Sequence, residues 1–483
     1  MSFFSKAAIV AKPGFNRWLV PPAALAVHLC IGQAYGFSVF NGPLAQYFET
    51  DVLKLYIFAT AIFFLGTSAA IGGSWLEKVG PRKTMFAAAC CFGGGFFVST
   101  LGIYLHFMPL LYLGYGVIGG CGLGLGYVSP VSTLIKWFPD RRGMATGMAI
   151  MGFGGGAMIG SPLGNTLMEY FKANDVLPAA LTDSFGLMGS FIAMGVIYFI
   201  SMVLGCIAIR IPAADWKPEG WTPPVLDETK AKSAKMKLVT SNHVHLKNAH
   251  KTPSFWFLWL VLYLNVSAGI GILSQASPMI QAIFGVGAAV AAGFTGLLSL
   301  FNMGGRFVWS SASDYLGRKN TYSIYFIVGT ICYLLIPISK SVGSMIFFIA
   351  LMAAIFSFYG GGFATIPAYL ADIFGTRFVG AIHGRLLTAW SMAAVTGSAI
   401  INMVTNWRIG KNAAVAMEND PSLTLEAARK LVEANSYDYT MYVLAMLLIV
   451  GAISNFLVRP VHERFHMTEK ELLESAPLAG AKK

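Results

Sequence analysis

Twelve apolar runs divide this chain of 483 residues. Each is about twenty residues long, the length an α-helix needs to cross ~30 Å of hydrocarbon. They fall at 18–41, 55–76, 84–106, 110–136, 143–168, 187–211, 254–280, 289–312, 321–340, 344–371, 380–404 and 439–459. Lipid offers no hydrogen bonds, so a crossing segment must satisfy its own backbone as a helix or join a closed barrel. Barrel strands read as alternating segments of about ten residues, and the sequence has none. The pattern predicts an all-α integral membrane protein with twelve transmembrane helices.

Composition agrees. The chain is 56% hydrophobic and 12% charged, with mean hydropathy +0.64, whereas soluble domains hold about 25% charged residues. The net charge of +12 suggests nucleic acid only if it forms a patch. Here the cations gather in short loops: Lys78, Arg82 and Lys83; Arg141 and Arg142; Arg318 and Lys319. The segment 212–253 adds seven lysines, while 105–109 and 281–288 are nearly uncharged. Cytoplasmic loops of membrane proteins carry such an excess. Both termini are expected in the cytoplasm, the bilayer is the expected partner, and nucleic acid is not. The first apolar run is too long for a cleaved signal and reads as a retained span. The six cysteines have no disulfide framework and read as buried thiols.

The chain repeats itself. "EKVGPRKT" closes the second span and "DYLGRKNT" the eighth, so that Gly80 and Gly317 differ by 317 − 80 = 237. Pro130 and Pro367, Gly143 and Gly380, and the "GS" pairs at 160 and 397 share that offset. Two pseudo-symmetric six-helix bundles are predicted, 1–211 and 254–459, with any substrate held between them near the midplane. Residues 212–253 read as a cytoplasmic linker and 460–483 as a cytoplasmic tail. The polar insert 405–438 reads as a small extracellular helix between spans 11 and 12. "NHVHLKNAH" in the linker reads as a solvated basic loop, with no metal site. The glycine-rich run 119–127 lacks a preceding strand, so it marks close helix approach and not a nucleotide loop. No cofactor is implied.

The stretch "SLFNMGGRFVWSSASDYLGRKN" (299–320) sets Arg306 inside the eighth span. It lies roughly 12 Å from the end marked by Asp314. An arginine at such depth costs about 2.5–3.5 kcal/mol on insertion scales. Its repeat partner, 306 − 237 = 69, is Ala69. The architecture alone therefore demands no cation there, and a carboxylate bound through paired N–H donors is the expected reason for it.

Twelve spans, a long central loop and an acid-x-x-Gly-x-basic loop after spans 2 and 8 resemble the major facilitator superfamily of secondary transporters. "QAYGFSVFNGPL", "GLGYVSPVSTLIKWFPDRRGMATG", "NMGGRFVWSSASDYLGRKN" and "GRLLTAWSMAAVTG" are similar to segments of the oxalate/formate antiporter family and its monocarboxylate-transporting relatives. The resemblance implies the major facilitator fold, transport of small organic anions, and Arg306 as anchor. It also implies gating on the cytoplasmic side by Glu77, Arg82, Asp314, Arg318 and Arg141. "GGGAMIGSPLG" (154–164) resembles the glycine-proline motif of antiporters. Two positions depart from the pattern. Trp390 stands where the oxalate/formate exchanger has a lysine, so a monoanion is favoured over a dianion. Asn302 stands where monocarboxylate porters carry an aspartate.

Counting residues from the cytoplasmic ends places His28, Tyr127, Phe153, Asn265, Tyr359 and Trp390 at one depth, with Tyr35 somewhat higher. Together with Asn302, the residues Tyr35, Tyr127, Trp390, Tyr359 and His28 are the expected company of Arg306. No acidic residue lies deep in a span, which leaves His28, His383 near the mouth of span 11, or the substrate's own proton for coupling. The expected function is exchange of small carboxylates (the formate, oxalate, lactate or pyruvate class) across the inner membrane by a monomer. Proton-coupled symport is the alternative, and a transport-dead sensor acting through the linker is a reading of another class. No nucleophile–base set suggests an enzyme.

Overall fold

The computed structural model describes residues 5–50, 56–173, 184–213, 216–222 and 238–474. The rest, including the middle of the expected linker and the end of the expected tail, lie outside the described residues. Each expected span is occupied by a helix. They are α1 (Arg17–Tyr47), α2 (Ile57–Val79), α3 (Pro81–Tyr104), α4 (Met108–Trp137), α5 (Arg142–Ala173) and α6 (Leu187–Ala208). The second half holds α7 (Pro253–Phe284), α8 (Ala288–Leu316), α9 (Arg318–Ser341), α10 (Met345–Phe374), α11 (Val379–Asn419) and α12 (Leu425–Leu457). Among the described residues, ten of these are long and apolar enough to cross a membrane. The other two, glycine-rich α5 and Arg306-bearing α8, pack against each other.

The halves are joined by two such pairs, α5 with α8 and α2 with α11. Small residues let the backbones approach. A Cβ at Gly154 of α5 would lie 2.9 Å from Arg306 Nε. One at Gly384 of α11 would collide with the Ala69 carbonyl of α2, so even alanine would wedge the halves apart there.

The sequence repeat is also a structural one. Gly80 and Gly317 end α2 and α8 with φ of 86° and 84°, a conformation costly for any residue with a Cβ. Arg82 donates to the Ile207 and Ile209 carbonyls at the end of α6, at 3.2 and 3.3 Å. Lys319, at 319 − 82 = 237, donates to Phe456 and Val458 at the end of α12, at 2.7 and 2.9 Å. Each cation satisfies orphan carbonyls at a helix C-terminus. Arg82 thus braces the end of α6 within its own half.

The contact between halves lies at the basic end, where the cationic loops sit. Asp314, at the end of α8, accepts the N–H groups of Gly143 and Met144 at the start of α5, at 2.8 and 2.9 Å. The N-terminus of a helix carries unsatisfied donors and partial positive charge, so a carboxylate from the other half caps it well. Arg318 holds Asp314 at 2.6 Å and Asp372 of α10 at 3.0 Å, and Asp372 in turn pairs with Arg142 of α5 at 2.9 Å. Arg142, rather than the expected Arg141, makes this bridge; Arg141 is exposed. Glu77, the repeat counterpart of Asp314, pairs with Lys136 inside its own half at 3.2 Å and faces Gly380 at the start of α11.

Three other expectations change. Residues 405–438 form no separate helix. Instead α11 runs on to Asn419 and α12 starts at Leu425, its N–H groups capped by Thr424. Thr405 bonds to Thr440 at 2.8 Å, and Asn412 donates to Ser436 at 3.1 Å. Polarity marked where these helices leave the apolar layer, and a helix does not end there merely because its surface turns polar. Secondly, residues 238–252 are not a solvated loop. Thr240 N–H donates to the Asp372 carbonyl at 2.7 Å, Val244 to Phe374 at 2.9 Å, and Met467 to His243 at 2.8 Å. The His243 imidazole is held below its usual range, first by burial and then by Arg377 and Arg142. Thirdly, Cys90 is exposed, while Cys30, Cys206 and Cys332 are buried as expected.

Asp314→Asn keeps the shape and removes the charge from the capping contact. It is expected to weaken closure of the basic end by about 1.5–3 kcal/mol, the worth of hydrogen bonds to a charged group. Distances between spin labels on the basic ends of α4 and α10 would report it, and an unchanged distribution would contradict the latch.

Candidate substrate-binding site

Arg306 lies ten residues before the end of α8, about 15 Å up the helix, and is completely buried. Its Nε donates to Asn302 Oδ1, one turn earlier, at 3.0 Å. Its Nη1 reaches across to the Ile150 carbonyl on α5 at 3.4 Å. Its Nη2 is buried without a hydrogen-bond partner. Among the described residues no carboxylate pairs with this guanidinium. Its neighbours are rings: Phe363 at 5.0 Å, Phe153 at 5.6 Å and Tyr35 at 6.0 Å from the guanidinium carbon. Aromatic faces attract a cation, more so when both are desolvated. They hold the charge without neutralising it.

Around this cation the rings form one cluster drawn from both halves. Tyr127 of α4 packs against His28 of α1 at 5.3 Å, Phe153 of α5 at 5.5 Å and Trp390 of α11 at 5.5 Å. His383 of α11 lies on it at 5.9 Å. Phe153 and Trp390 meet edge to face at 5.2 Å. They are repeat counterparts (390 − 153 = 237), so they face each other across the pseudo-symmetry axis. Farther from the basic end, the hydroxyls of Tyr35 and Tyr359 bond across the halves at 3.1 Å. Tyr35 sits in a 3₁₀ stretch, Gln33–Phe40, that interrupts α1. Such mid-helix stretches often mark hinges.

Polar atoms in the cluster are left over. Tyr127 Oη, Trp390 Nε1, His28 Nε2 and His383 Nε2 are buried without partners, as is Arg306 Nη2. Each orphan costs about 1–3 kcal/mol, and a folded protein rarely leaves several together. A small anion with several acceptor lone pairs would satisfy the donors among them. The aromatic walls would exclude its water.

The structure brings together every residue expected beside Arg306: Tyr35, Tyr127, Trp390, Tyr359, His28 and Asn302. Asn265, at the same depth, donates to the Tyr359 carbonyl at 3.5 Å. Of the residues expected to gate, Asp314 and Arg318 join the contact between the halves, Glu77 pairs with Lys136 and faces Gly380 of α11, Arg82 bonds to the end of α6, and Arg141 is exposed. Two contributors, Phe363 and the Ile150 carbonyl, are absent from the sequence reading. Phe363 lies one turn after Tyr359 on α10, a spacing legible in the sequence. The Ile150 carbonyl carried no signal, because any residue has one. His383 was expected near the mouth of span 11 but is buried in the cluster.

Comparison with known proteins places this geometry. The family model described as "Major Facilitator Superfamily" matches residues 23–398. The chain is 26% identical over 388 residues to the oxalate:formate antiporter of Oxalobacter formigenes, covering 80% of this chain and 84% of that one. It is 25% identical over 401 residues to monocarboxylate transporter 2 of Mus musculus, covering 76% and 73%. Among solved structures, the proton:xylose symporter XylE aligns with a TM-score of 0.62 at 15% identity, covering 91% of this chain and 95% of that one. The chain belongs to the Major Facilitator Superfamily: it is a multi-pass membrane transporter, not an enzyme.

Proposed function

We propose that this protein carries small monocarboxylates across the inner membrane by alternating access between its two halves, with Arg306 as the anion anchor. The observation that carries the reading is the buried guanidinium with one free nitrogen, set among rings and lacking a carboxylate among the described residues. Its relatives include an oxalate:formate antiporter and a monocarboxylate transporter, which is the substrate class such a cage suits. In this reading the basic end faces the cytoplasm and the latch at Asp314 closes it, with the chain working as a monomer.

Exchange of one anion for another follows from the charge. An empty site must turn over with a naked guanidinium in a low-dielectric setting, which is costly. A site holding a carboxylate does not bear that cost, so turnover is fastest when an anion travels each way. A specific observation favours proton-coupled symport as the second reading: two buried imidazoles in the cluster have unpartnered Nε2 atoms. Proteoliposomes separate the two. Exchange requires anion inside the vesicle, whereas symport runs into empty vesicles when a pH gradient is imposed.

Arg306→Ala is expected to reduce formate uptake to the level of empty vesicles in correctly inserted protein. Near-normal uptake by that variant would refute the anchor. Arg306→Lys keeps the charge and loses the planar fork. It is expected to weaken binding about tenfold or more, the cost of one charged hydrogen bond, as read by the thermal shift that formate produces. Trp390→Lys adds a second fixed cation and is expected to gain oxalate binding at neutral pH. No gain would show that charge does not limit dianion entry.

A further inference from the structure

The two imidazoles offer something that Arg306 cannot supply alone, namely a positive charge that depends on pH. His28 Nδ1 lies 3.0 Å from the Ala24 carbonyl. A carbonyl only accepts, so Nδ1 carries the hydrogen. The neutral ring therefore turns a basic Nε2 lone pair into the cluster, and that atom is buried and unpartnered. His383 comes from the other half and also has a buried, unpartnered Nε2. Both rings lie on Tyr127, at 5.3 and 5.9 Å. The Phe153 ring that packs on Tyr127 also packs on the Arg306 guanidinium.

The titratable and charged groups facing the pair are Tyr127 from α4 and Arg306 from α8, together with each imidazole facing the other. Tyr35 of α1 faces the same guanidinium. In the empty site the permanent charge is thus positive, carried by Arg306. A monoanion on Arg306 cancels that charge and leaves the pair unneeded. A dianion on Arg306 leaves one negative charge over in a dry pocket. That charge favours a proton on the nearest base in the cluster, by the attraction of opposite charges.

We propose that the His28–Tyr127–His383 cluster is a switchable second cation site: protonated, it lets the Arg306 pocket accept a small dicarboxylate dianion, and neutral, it restricts the pocket to monoanions. The proposal rests on Arg306 binding anions. It makes charge selectivity a function of pH, with dianion affinity rising as pH falls while monoanion affinity changes less.

The test measures binding of sodium oxalate and sodium formate to purified full-length protein between about pH 6 and pH 8, within the span where histidine changes charge. Oxalate is a dianion in water throughout that range. The ratio of oxalate to formate affinity is expected to rise at least about tenfold from the upper to the lower pH, one unit of linked proton affinity. The slope is expected to fall in His28→Gln and in His383→Gln, and to vanish in the double variant. A flat ratio in the wild type overturns the proposal. So does a slope that survives in the double variant, since the proton would then ride on the anion or elsewhere. If the double variant fails to fold, proton uptake by the wild type decides: the pH change on adding oxalate in weak buffer should correspond to about one proton per oxalate near neutrality, and none overturns it. Failure of the wild type to bind either anion refutes the anchor itself, a different outcome from anion binding without pH selectivity.

Discussion

A guanidinium buried among aromatic rings, with no carboxylate paired to it among the described residues, is the constraint on which this structure turns. Burying a charge is tolerable only when its donors are used and its field is answered. Asn302 and the Ile150 carbonyl use part of the donor set, and Phe363, Phe153 and Tyr35 answer part of the field. What remains is a specific deficit, one nitrogen and nearly one charge. In the proposed function that deficit is the recognition element, because an anion fills it better than any neutral molecule.

The scaffold around that deficit is symmetric, and the chemistry is not. Arg82 and Lys319 brace equivalent helix ends, and Phe153 and Trp390 meet across the axis. Arg306, in contrast, has Ala69 as its counterpart, and His28 has Asn265 (265 − 28 = 237). Duplication supplied two bundles able to rock against each other. Differences at single positions then placed Arg306 in one bundle and His28 in the other, so the ring cluster around the guanidinium draws on both halves.

The contact between the halves at the basic end shares a helix with the site. Asp314 caps the first turn of α5, and α5 also carries Phe153 and the Ile150 carbonyl that touch Arg306. Releasing the cap frees the same helix that forms one wall of the pocket. Backbone hydrogen bonds from Thr240 and Val244 to the last carbonyls of α10 hold the Asp372 side of that contact. The linker therefore bears on closure of the basic end through backbone hydrogen bonds, which its composition did not disclose.

Run length and residue spacing alone set the number of helices, the repeat and its offset of 237, the position of the basic loops, and the depth of each polar residue. Apolar run length and a rise of 1.5 Å per residue fix those quantities without any knowledge of packing. That is why Tyr127, Trp390, Tyr359 and His28 were legible as companions of Arg306. Tertiary structure decided the rest. Depth does not give rotation about the helix axis or the choice of neighbouring helix. It therefore could not say that His383 would lie on Tyr127, that Phe363 would sit nearest the guanidinium, that Arg142 and not Arg141 would bridge to Asp372, or that Arg82 would brace instead of gate. Residues 405–438 were misread for a related reason. Polarity reports where a helix leaves the apolar layer, while helical hydrogen bonding continues until a turn such as the one between Asn419 and Leu425 ends it.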